Sequence, residues 1–227
     1  MFGEFAKYQV LPLDSSASPR FVYPRPSFSA GRTVFKYSGE KVRMPNLTQP
    51  SLLNTSYTIT AEIEVPQGGA EGMIVNEGGR FGGYGMYLLK SKPVFVWNLL
   101  LLKRIRWEGP ALSPGKHTIV FDFKYDGLGE ATLAYNVLSG VGRGGVGTLS
   151  VDGAVVATQK MERTIPLVTL LDDAFTIGEA SGLVGNEYQM PFPFTGKLNG
   201  VTITVEKPVL SEEDKKKLEA AQRASQD

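Results

Sequence analysis

The sequence predicts an all-β sandwich. Residues 57–65, YTITAEIEV, alternate apolar and polar side chains with a period of two, which is typical of a strand with one buried face. Similar short stretches recur along the chain, and glycine and proline residues separate them. Because parallel sheets need a helix between successive strands, this spacing favours two packed antiparallel sheets.

Further strands follow in order along the chain. They are predicted at MIV (73–75), GMYLL (85–89), PVFVWN (93–98), HTIVFDFKY (117–125), TLSV (148–151), AVVA (154–157), AFTIG (174–178) and KLNGVTITVE (197–206). Lys90–Lys92 predicts a turn, and Asp152-Gly153 predicts a tight hairpin because both residues tolerate a positive φ. The stretch SEEDKKKLEAAQRA predicts a short C-terminal helix with Ser211 as its N-cap.

The domain boundaries follow from these elements. We expect the sandwich over residues 33–207 and the helix within residues 208–227. Residues 12–32 carry four prolines among several serines, which is typical of a linker. Residues 1–32 are therefore expected to precede the sandwich.

Charge and composition exclude several classes of function. The net charge of +1 provides no long-range field that would attract nucleic acid or an anionic membrane. The chain has no cysteine and a single histidine, His117, which excludes thiolate metal sites and sites with several imidazoles. The longest apolar stretch, residues 93–102, is too short to span a bilayer, and residues 1–10 contain two charges and lack a signal-peptide core. We expect no nucleic acid and no membrane as partners; the compartment, cytoplasmic or periplasmic, stays open.

Two stretches place an arginine among glycines, GGRFGGYGMYL (78–88) and GVGRGGVG (140–147). The second satisfies G-x-G-x-x-G, but a predicted strand follows it where a dinucleotide site needs a helix. We expect residues 140–145 to form a loop and residues 78–85 to form a β-bulge or a close approach of two backbones. Arg80 and Arg143 are the candidates for contact with an anion or a partner chain, because arginine binds carboxylate and sulfate through two parallel hydrogen bonds.

Four stretches in combination point to a family. They are GGAEGMIVNEGGRFGGYGMYL, PGKHTIVFDFKYDG, GTLSVDGAVVA and PFPFTGKLNGVTITV. Together they resemble the C-terminal region of bacterial-type arylsulfatases, which implies a concanavalin-A-like, laminin-G-like jelly roll appended to a catalytic domain. FAKYQVLPLDSS (5–16) resembles the segment in which that catalytic portion ends, so residues 1–32 would be its remnant and a linker. The chain departs from the family at residues 128–139, which resemble an insertion.

The resemblance does not extend to the sulfatase active site. Sulfatases carry C-x-P-S-R or S-x-P-S-R, whose first residue becomes formylglycine, and they bind a divalent cation, usually calcium. This chain has no cysteine, and its SASPR string (16–20) has the serine and proline in the wrong order. We expect no catalytic residue, metal ligand or cofactor here. The resemblance implies a noncatalytic sandwich that packs on a sulfatase catalytic domain, in the same or a separate chain, or mediates assembly.

An independent lectin-like carbohydrate-binding module is the alternative. Flat aromatic rings stack on sugar faces, and core packing is the other interpretation of such rings. The candidates for a sugar platform are Tyr84, Tyr87, Trp97 and Trp107.

Acidic residues offer two weaker hypotheses. Glu62 and Glu64 lie on one face of the strand at 57–65, and two carboxylates can cleave glycosides, but they fit no recognisable glycosidase signature. Asp126, Asp152 and Glu179 lie near turns, where oxygen ligands can bind calcium, although turn aspartates more often cap the backbone.

Overall fold

A computed structural model describes residues 31–39, 41–44, 48–126, 143–165 and 174–206, together with Lys216. Within these residues twelve strands form two six-stranded sheets. In chain order they are β1 (Val34–Ser38), β2 (Val42–Met44), β3 (Tyr57–Val65), β4 (Gly72–Gly79), β5 (Gly82–Leu89), β6 (Lys92–Leu99), β7 (Lys103–Glu108), β8 (Gly115–Tyr125), β9 (Arg143–Val151), β10 (Ala154–Arg163), β11 (Phe175–Ile177) and β12 (Lys197–Val205).

The two sheets pack face to face as a sandwich. Sheet A has the order β1-β12-β3-β8-β9-β10, and sheet B has the order β2-β11-β4-β5-β6-β7. Each ladder between these strands is antiparallel. This is the all-β sandwich of two antiparallel sheets that the sequence predicts. Among the described residues no helix has the length and apolar character needed to cross a membrane.

Strand β3 has the predicted bounds and the predicted buried face. Its buried side chains are Tyr57, Ile59, Ala61, Ile63 and Val65. Of these, the Ile59, Ile63 and Val65 side chains each contribute about 1.5–3 kcal/mol when they leave water completely. The period-two pattern therefore identifies the side of sheet A that faces the core.

Aromatic rings join the two sheets. Phe95 of β6 stacks on Phe121 of β8, and Trp107 of β7 meets the same Phe121 ring edge-on with centroids 5.0 Å apart. The Trp107 indole Nε1 also donates a hydrogen bond of 2.8 Å to the carbonyl of Gly147 in β9. A buried indole N–H needs such an acceptor, so this bond fixes the position of sheet B against sheet A.

Two tight turns confirm the turn predictions. Asp152 and Gly153 have φ values of 49° and 84° and join β9 to β10. Lys90 and Ser91 have φ values of 50° and 59° and join β5 to β6. Positive φ at both central residues matches the right-handed twist of hairpin strands.

The prediction of a loop over residues 140–145 is wrong for residues 143–145, because β9 already begins at Arg143. A Cβ at position 147 would lie 2.6 Å from Trp107 Cζ2 and 2.8 Å from Phe121 Cζ. Glycine therefore makes room in the strand for two core rings. In the first stretch, a Cβ at Gly83 would collide with the carbonyl of Glu77, which confirms the predicted close approach of two backbones.

Three strands were not predicted, namely β1, β2 and β7. In β7 the alternation of Ile105 and Trp107 with arginines is present, but the preceding run of leucines hides where the strand begins. The predicted helix lies outside the described residues except for Lys216, which is helical. Residues 1–30 and the insertion at 128–139 also lie outside them.

Candidate functional site

The outer face of sheet B is covered by residues 178–193, here called the covering segment. Its Ala180, Val184 and Tyr188 pack against outward-facing side chains of β4, β5 and β6, including Met73 and Tyr87. The Arg104 guanidinium on β7 donates a hydrogen bond of 3.1 Å to the carbonyl of Val184. A ligand cannot reach this face of the sheet while the segment is in place.

A carboxylate anchors the covering segment. Glu187 accepts hydrogen bonds from the Tyr87 hydroxyl and from Arg106 Nε, the latter at 3.0 Å. Burial raises the pKa of Glu187, but the hydrogen bonds from Tyr87 and from the Asn186 amide and the charge of Arg106 outweigh burial and lower that pKa. The segment is therefore held by an ionised group as well as by apolar contacts.

The four rings of the predicted sugar platform are buried, and this prediction is wrong for the folded sandwich. Tyr84, Trp97 and Trp107 point into the core, where the Tyr84 and Trp97 rings stack with centroids 6.0 Å apart. Tyr87 points outward but lies under the covering segment, 5.3 Å from the Tyr188 ring. None of the four presents a ring face on which a sugar can stack.

Sheet A carries an open polar cleft of about 390 Å³ where β12, β3 and β8 lie side by side. Glu64 on β3 lies in register with Lys116 on β8 and with Lys197 on β12. Glu62, two residues earlier, lies opposite Thr118. The cleft is lined by Glu62, Ile63, Glu64, Lys116, His117, Thr118, Lys197 and Asn199.

The cleft combines hydrogen-bond donors and acceptors at short range. The Glu62 and Glu64 carboxylates accept, the Lys116 and Lys197 ammonium groups donate, and the Asn199 amide does both. Asn199 lies at a register shift between Leu198 and Gly200, where one extra residue is inserted in β12. Sugar hydroxyls both donate and accept, so this chemistry suits a polyhydroxylated ligand.

The wall of the cleft contains the single histidine. His117 Nδ1 lies 2.7 Å from Asp152 Oδ2, and Nε2 lies 2.8 Å from the carbonyl oxygen of Ser113. Burial lowers the pKa of His117, but its contacts with Asp152 and Ser113 outweigh burial and raise that pKa. Because an acceptor faces each ring nitrogen, the doubly protonated imidazolium fits this position.

Two of the three turn acids contact protein groups. Asp152 Oδ1 accepts a hydrogen bond of 2.8 Å from the Thr118 amide, and Glu179 pairs with Lys41 at 2.8 Å. Within the ranges that the structure describes, no three His, Asp or Glu side chains form a group that could hold a metal ion. These acids fix turns and pair with lysine.

The structure brings Arg80 and Arg143 to the same end of the sandwich. Arg80 lies in the turn between β4 and β5, beside Gly82, and a Cβ at Gly82 would lie 3.2 Å from Ile165 Cδ1. The neighbouring Thr164 hydroxyl donates a hydrogen bond of 3.0 Å to the carbonyl of Arg143. Arg80 is exposed and Arg143 is half-buried.

Sequence reasoning identified Glu62 and Glu64 but missed their neighbours Lys116, Lys197 and Asn199. Alternation shows which residues of one strand share a face, but it does not show which strands are neighbours. The chain order β3, β8, β12 gives no sign that β3 lies between the other two. The cleft therefore becomes visible only in the folded chain.

No family model and no curated protein matches the chain. Solved structures resemble it at low identity. A carbohydrate-binding module (CBM40) of a Ruminococcus gnavus sialidase, bound to α2,6-sialyllactose, has a TM-score of 0.47 and 13% identity over 82% of this chain and 98% of that chain. Domains LG4-5 of the mouse laminin α1 chain have a TM-score of 0.43 and 14% identity over 84% and 46% of the two chains. At these values the likeness is one of general sandwich architecture, and the resemblance to arylsulfatases stays a prediction.

Proposed function

We propose that the chain is a noncatalytic, lectin-like carbohydrate-binding module whose ligand occupies the cleft on sheet A. The observation that carries the proposal is the open polar cleft, with carboxylate, ammonium and amide groups on three adjacent strands. In the described part of the chain, the covering segment lies over the outward side chains of β4, β5 and β6 on sheet B. The paired strands fix the backbone positions of the residues that carry these groups.

The chemistry of the cleft predicts weak binding. Its contacts to a sugar would be hydrogen bonds, and each exchanges a water contact for a protein contact with a net gain of about 0.5–1.5 kcal/mol. The lining side chains include no Phe, Tyr or Trp ring that would add stacking energy. We therefore expect dissociation constants on the order of 0.1–1 mM for a di- or trisaccharide.

Isothermal titration with lactose, cellobiose and sialyllactose tests the proposal. Wild-type protein is expected to bind at least one of the three, and the double variant Glu62→Gln with Glu64→Gln is expected to bind about tenfold more weakly, because two charged acceptors are lost. Lys160→Ala is the control, since Lys160 lies on β10 of the same sheet but outside the cleft. Absence of binding at about 10 mM sugar, or equal affinity of the double variant, would refute the proposal.

Packing against a sulfatase catalytic domain is the second candidate. The observation that favours it is the placement of the four stretches that resemble arylsulfatases. They coincide with the β4–β5 hairpin of sheet B and with β8, the β9–β10 hairpin and β12 of sheet A. The resemblance therefore extends through both layers of the sandwich.

Size-exclusion chromatography with a bacterial arylsulfatase catalytic domain, expressed without its own C-terminal region, tests the second candidate. Comigration of the two chains at micromolar concentration would support it. Separate elution would refute the second candidate. If sugar binding in the cleft is also observed, carbohydrate binding is the one function of the two that is supported.

A further inference from the structure

Two neighbouring turns expose large apolar side chains at one end of the sandwich. They belong to Phe81 in the β4–β5 turn and to Leu100, Leu101 and Leu102 in the β6–β7 turn, and we call this group the apolar tip. Phe81 is 50% exposed and Leu102 is 83% exposed. A Cβ at Gly82 would lie 3.2 Å from Leu100 Cδ2, so the two turns are in contact.

Leucine is an unfavourable residue for the backbone at this tip. Leu100 and Leu101 have φ values of 49° and 62°, in the left-handed region that favours glycine and asparagine. Their side chains are 38% and 42% exposed, so burial offsets only part of the conformational cost. A strained apolar residue that stays partly exposed points to a role outside the fold.

A buried asparagine holds the two turns together. Asn98 Nδ2 donates hydrogen bonds of 2.9 Å to the carbonyls of Gly79 and Arg80, and its Oδ1 accepts one of 3.2 Å from the Leu101 amide. Asn98 is fully buried. The apolar tip is therefore a supported arrangement of two turns.

Basic residues gather at the same end of the sandwich. Arg80 adjoins Phe81, Lys103 follows Leu102, and Arg143 of β9 lies in register with Arg163 of β10. Lys103 forms a long ion pair of 3.6 Å with Glu162, and the side chains of both are mostly exposed. One cation from the β4–β5 turn and three from strands β7, β9 and β10 thus lie at one end of a chain whose net charge is only +1.

We propose that this end of the sandwich docks on an anionic phospholipid surface. The apolar side chains would enter the boundary between headgroups and acyl chains, while Arg80, Lys103 and Arg163 would meet the headgroup phosphates. A stable protein interface needs about 800 Å² from each partner, whereas a few projecting apolar side chains with basic neighbours suffice at a lipid surface. Charge complementarity therefore selects a membrane as the occupant.

This inference goes beyond the sugar-binding function and uses a different part of the molecule. The cleft adjoins the Asp152 end of β9, whereas the basic residues adjoin its Arg143 end. The nine residues of β9 span about 30 Å. Docking through the tip would hold the cleft away from the lipid and leave it open to solvent.

Co-sedimentation with vesicles tests the inference. Vesicles of phosphatidylcholine with about 30% phosphatidylserine are expected to bind the wild-type protein, and pure phosphatidylcholine vesicles are expected to bind it much less. The double variant Phe81→Ser with Leu102→Ser should bind about tenfold more weakly, and Arg80→Ala about fivefold more weakly. Val155→Ser is the matched control, because Val155 is 65% exposed at the far end of β10.

The variant Leu102→Trp gives a second readout. Its indole would start in water, whereas the native Trp97 and Trp107 are already buried, so a blue shift on adding anionic vesicles would report insertion at the tip. Failure of the wild-type protein to bind anionic vesicles would overturn the inference. Equal binding by the double variant, once thermal unfolding shows that it is folded, would overturn it as well.

Discussion

The imidazole Nδ1 of His117 lies 2.7 Å from Oδ2 of the Asp152 carboxylate. The other carboxylate oxygen, Oδ1, accepts a hydrogen bond from the Thr118 amide. This contact connects the cleft on sheet A to the β9–β10 turn. The backbone hydrogen bond from Thr118 and the bond to His117 lower the pKa of Asp152, while the contacts of the imidazole raise the pKa of His117. Both groups are therefore ionised throughout the range from pH 3.8 to pH 6.5.

The first prediction concerns the pH dependence of this pair. Because the folded pKa of His117 is raised above its ordinary value of 6.5, its stabilisation is fully present below that pH and is lost as the pH rises through the folded pKa. For Asp152 the pKa is lowered from 3.8, so its stabilisation is present above that pH and is lost as the pH falls through the folded value. We expect His117→Asn to lose about 1 kcal/mol of unfolding free energy at pH 5.5 and much less at pH 8.5.

Urea unfolding at the two pH values measures this difference, with Lys160→Ala as a control whose effect should not depend on pH. An equal loss for His117→Asn at both pH values would mean that the ring acts by packing alone.

The second prediction concerns the contact between β9 and the core rings. Gly147→Ala would place a methyl group 2.6 Å from Trp107 Cζ2, so the rings or the strand must move. We expect a loss of about 1–3 kcal/mol of unfolding free energy. Ser150→Ala, on the outer face of the same strand, should change it by less than about 0.5 kcal/mol. Similar denaturation midpoints for the two variants would contradict the inter-sheet packing described here.

The third prediction concerns the covering segment. Glu187→Gln removes the charged acceptor shared by Tyr87 and Arg106. We expect faster amide hydrogen exchange in residues 178–193, with little change in β3 or β8, because the segment can open without unfolding the sandwich. Glu179→Gln, which breaks an exposed ion pair with Lys41, should have a smaller effect. Uniform acceleration of exchange across both sheets would show that the segment is part of the global folding unit.

The fourth prediction connects backbone strain with lipid binding. Leu101→Asn places a residue that tolerates positive φ where leucine does not, so the unfolding free energy should rise by about 0.5–1 kcal/mol. The same variant should bind anionic vesicles more weakly, since one apolar side chain of the tip is lost. A variant that is both less stable and unchanged in vesicle binding would refute both parts of this argument.

Strands with one polar face are predicted well from the sequence. Strand β3 alternates cleanly because its outer face meets solvent, and its bounds were predicted to the residue. In β5, by contrast, Met86 and Leu88 face the core while Tyr87 lies under the covering segment, so apolar residues occupy both faces. Alternation cannot separate an exposed ring from a covered one in such a strand, so the sequence alone does not show that Tyr87 is covered.

The net charge of the chain does not show where its basic residues gather after folding. A net charge of +1 gave no reason to expect an anionic surface as partner, yet folding gathers Arg80, Lys103, Arg143 and Arg163 at one end. The two arginines that stand among glycines were singled out from the sequence. Their proximity depends on the contact between the β4–β5 turn and the residues after β10, which no local pattern encodes.

The most direct test of the central claim is an NMR titration of the uniformly labelled protein with the sugar that binds best in calorimetry. We expect the amide shifts to change at Glu62, Glu64, Lys116 to Thr118 and Lys197 to Asn199, with the Arg80 and Leu102 amides unmoved. Shifts confined to other surfaces, or no shifts at saturating sugar, would contradict the assignment of the cleft as the binding site.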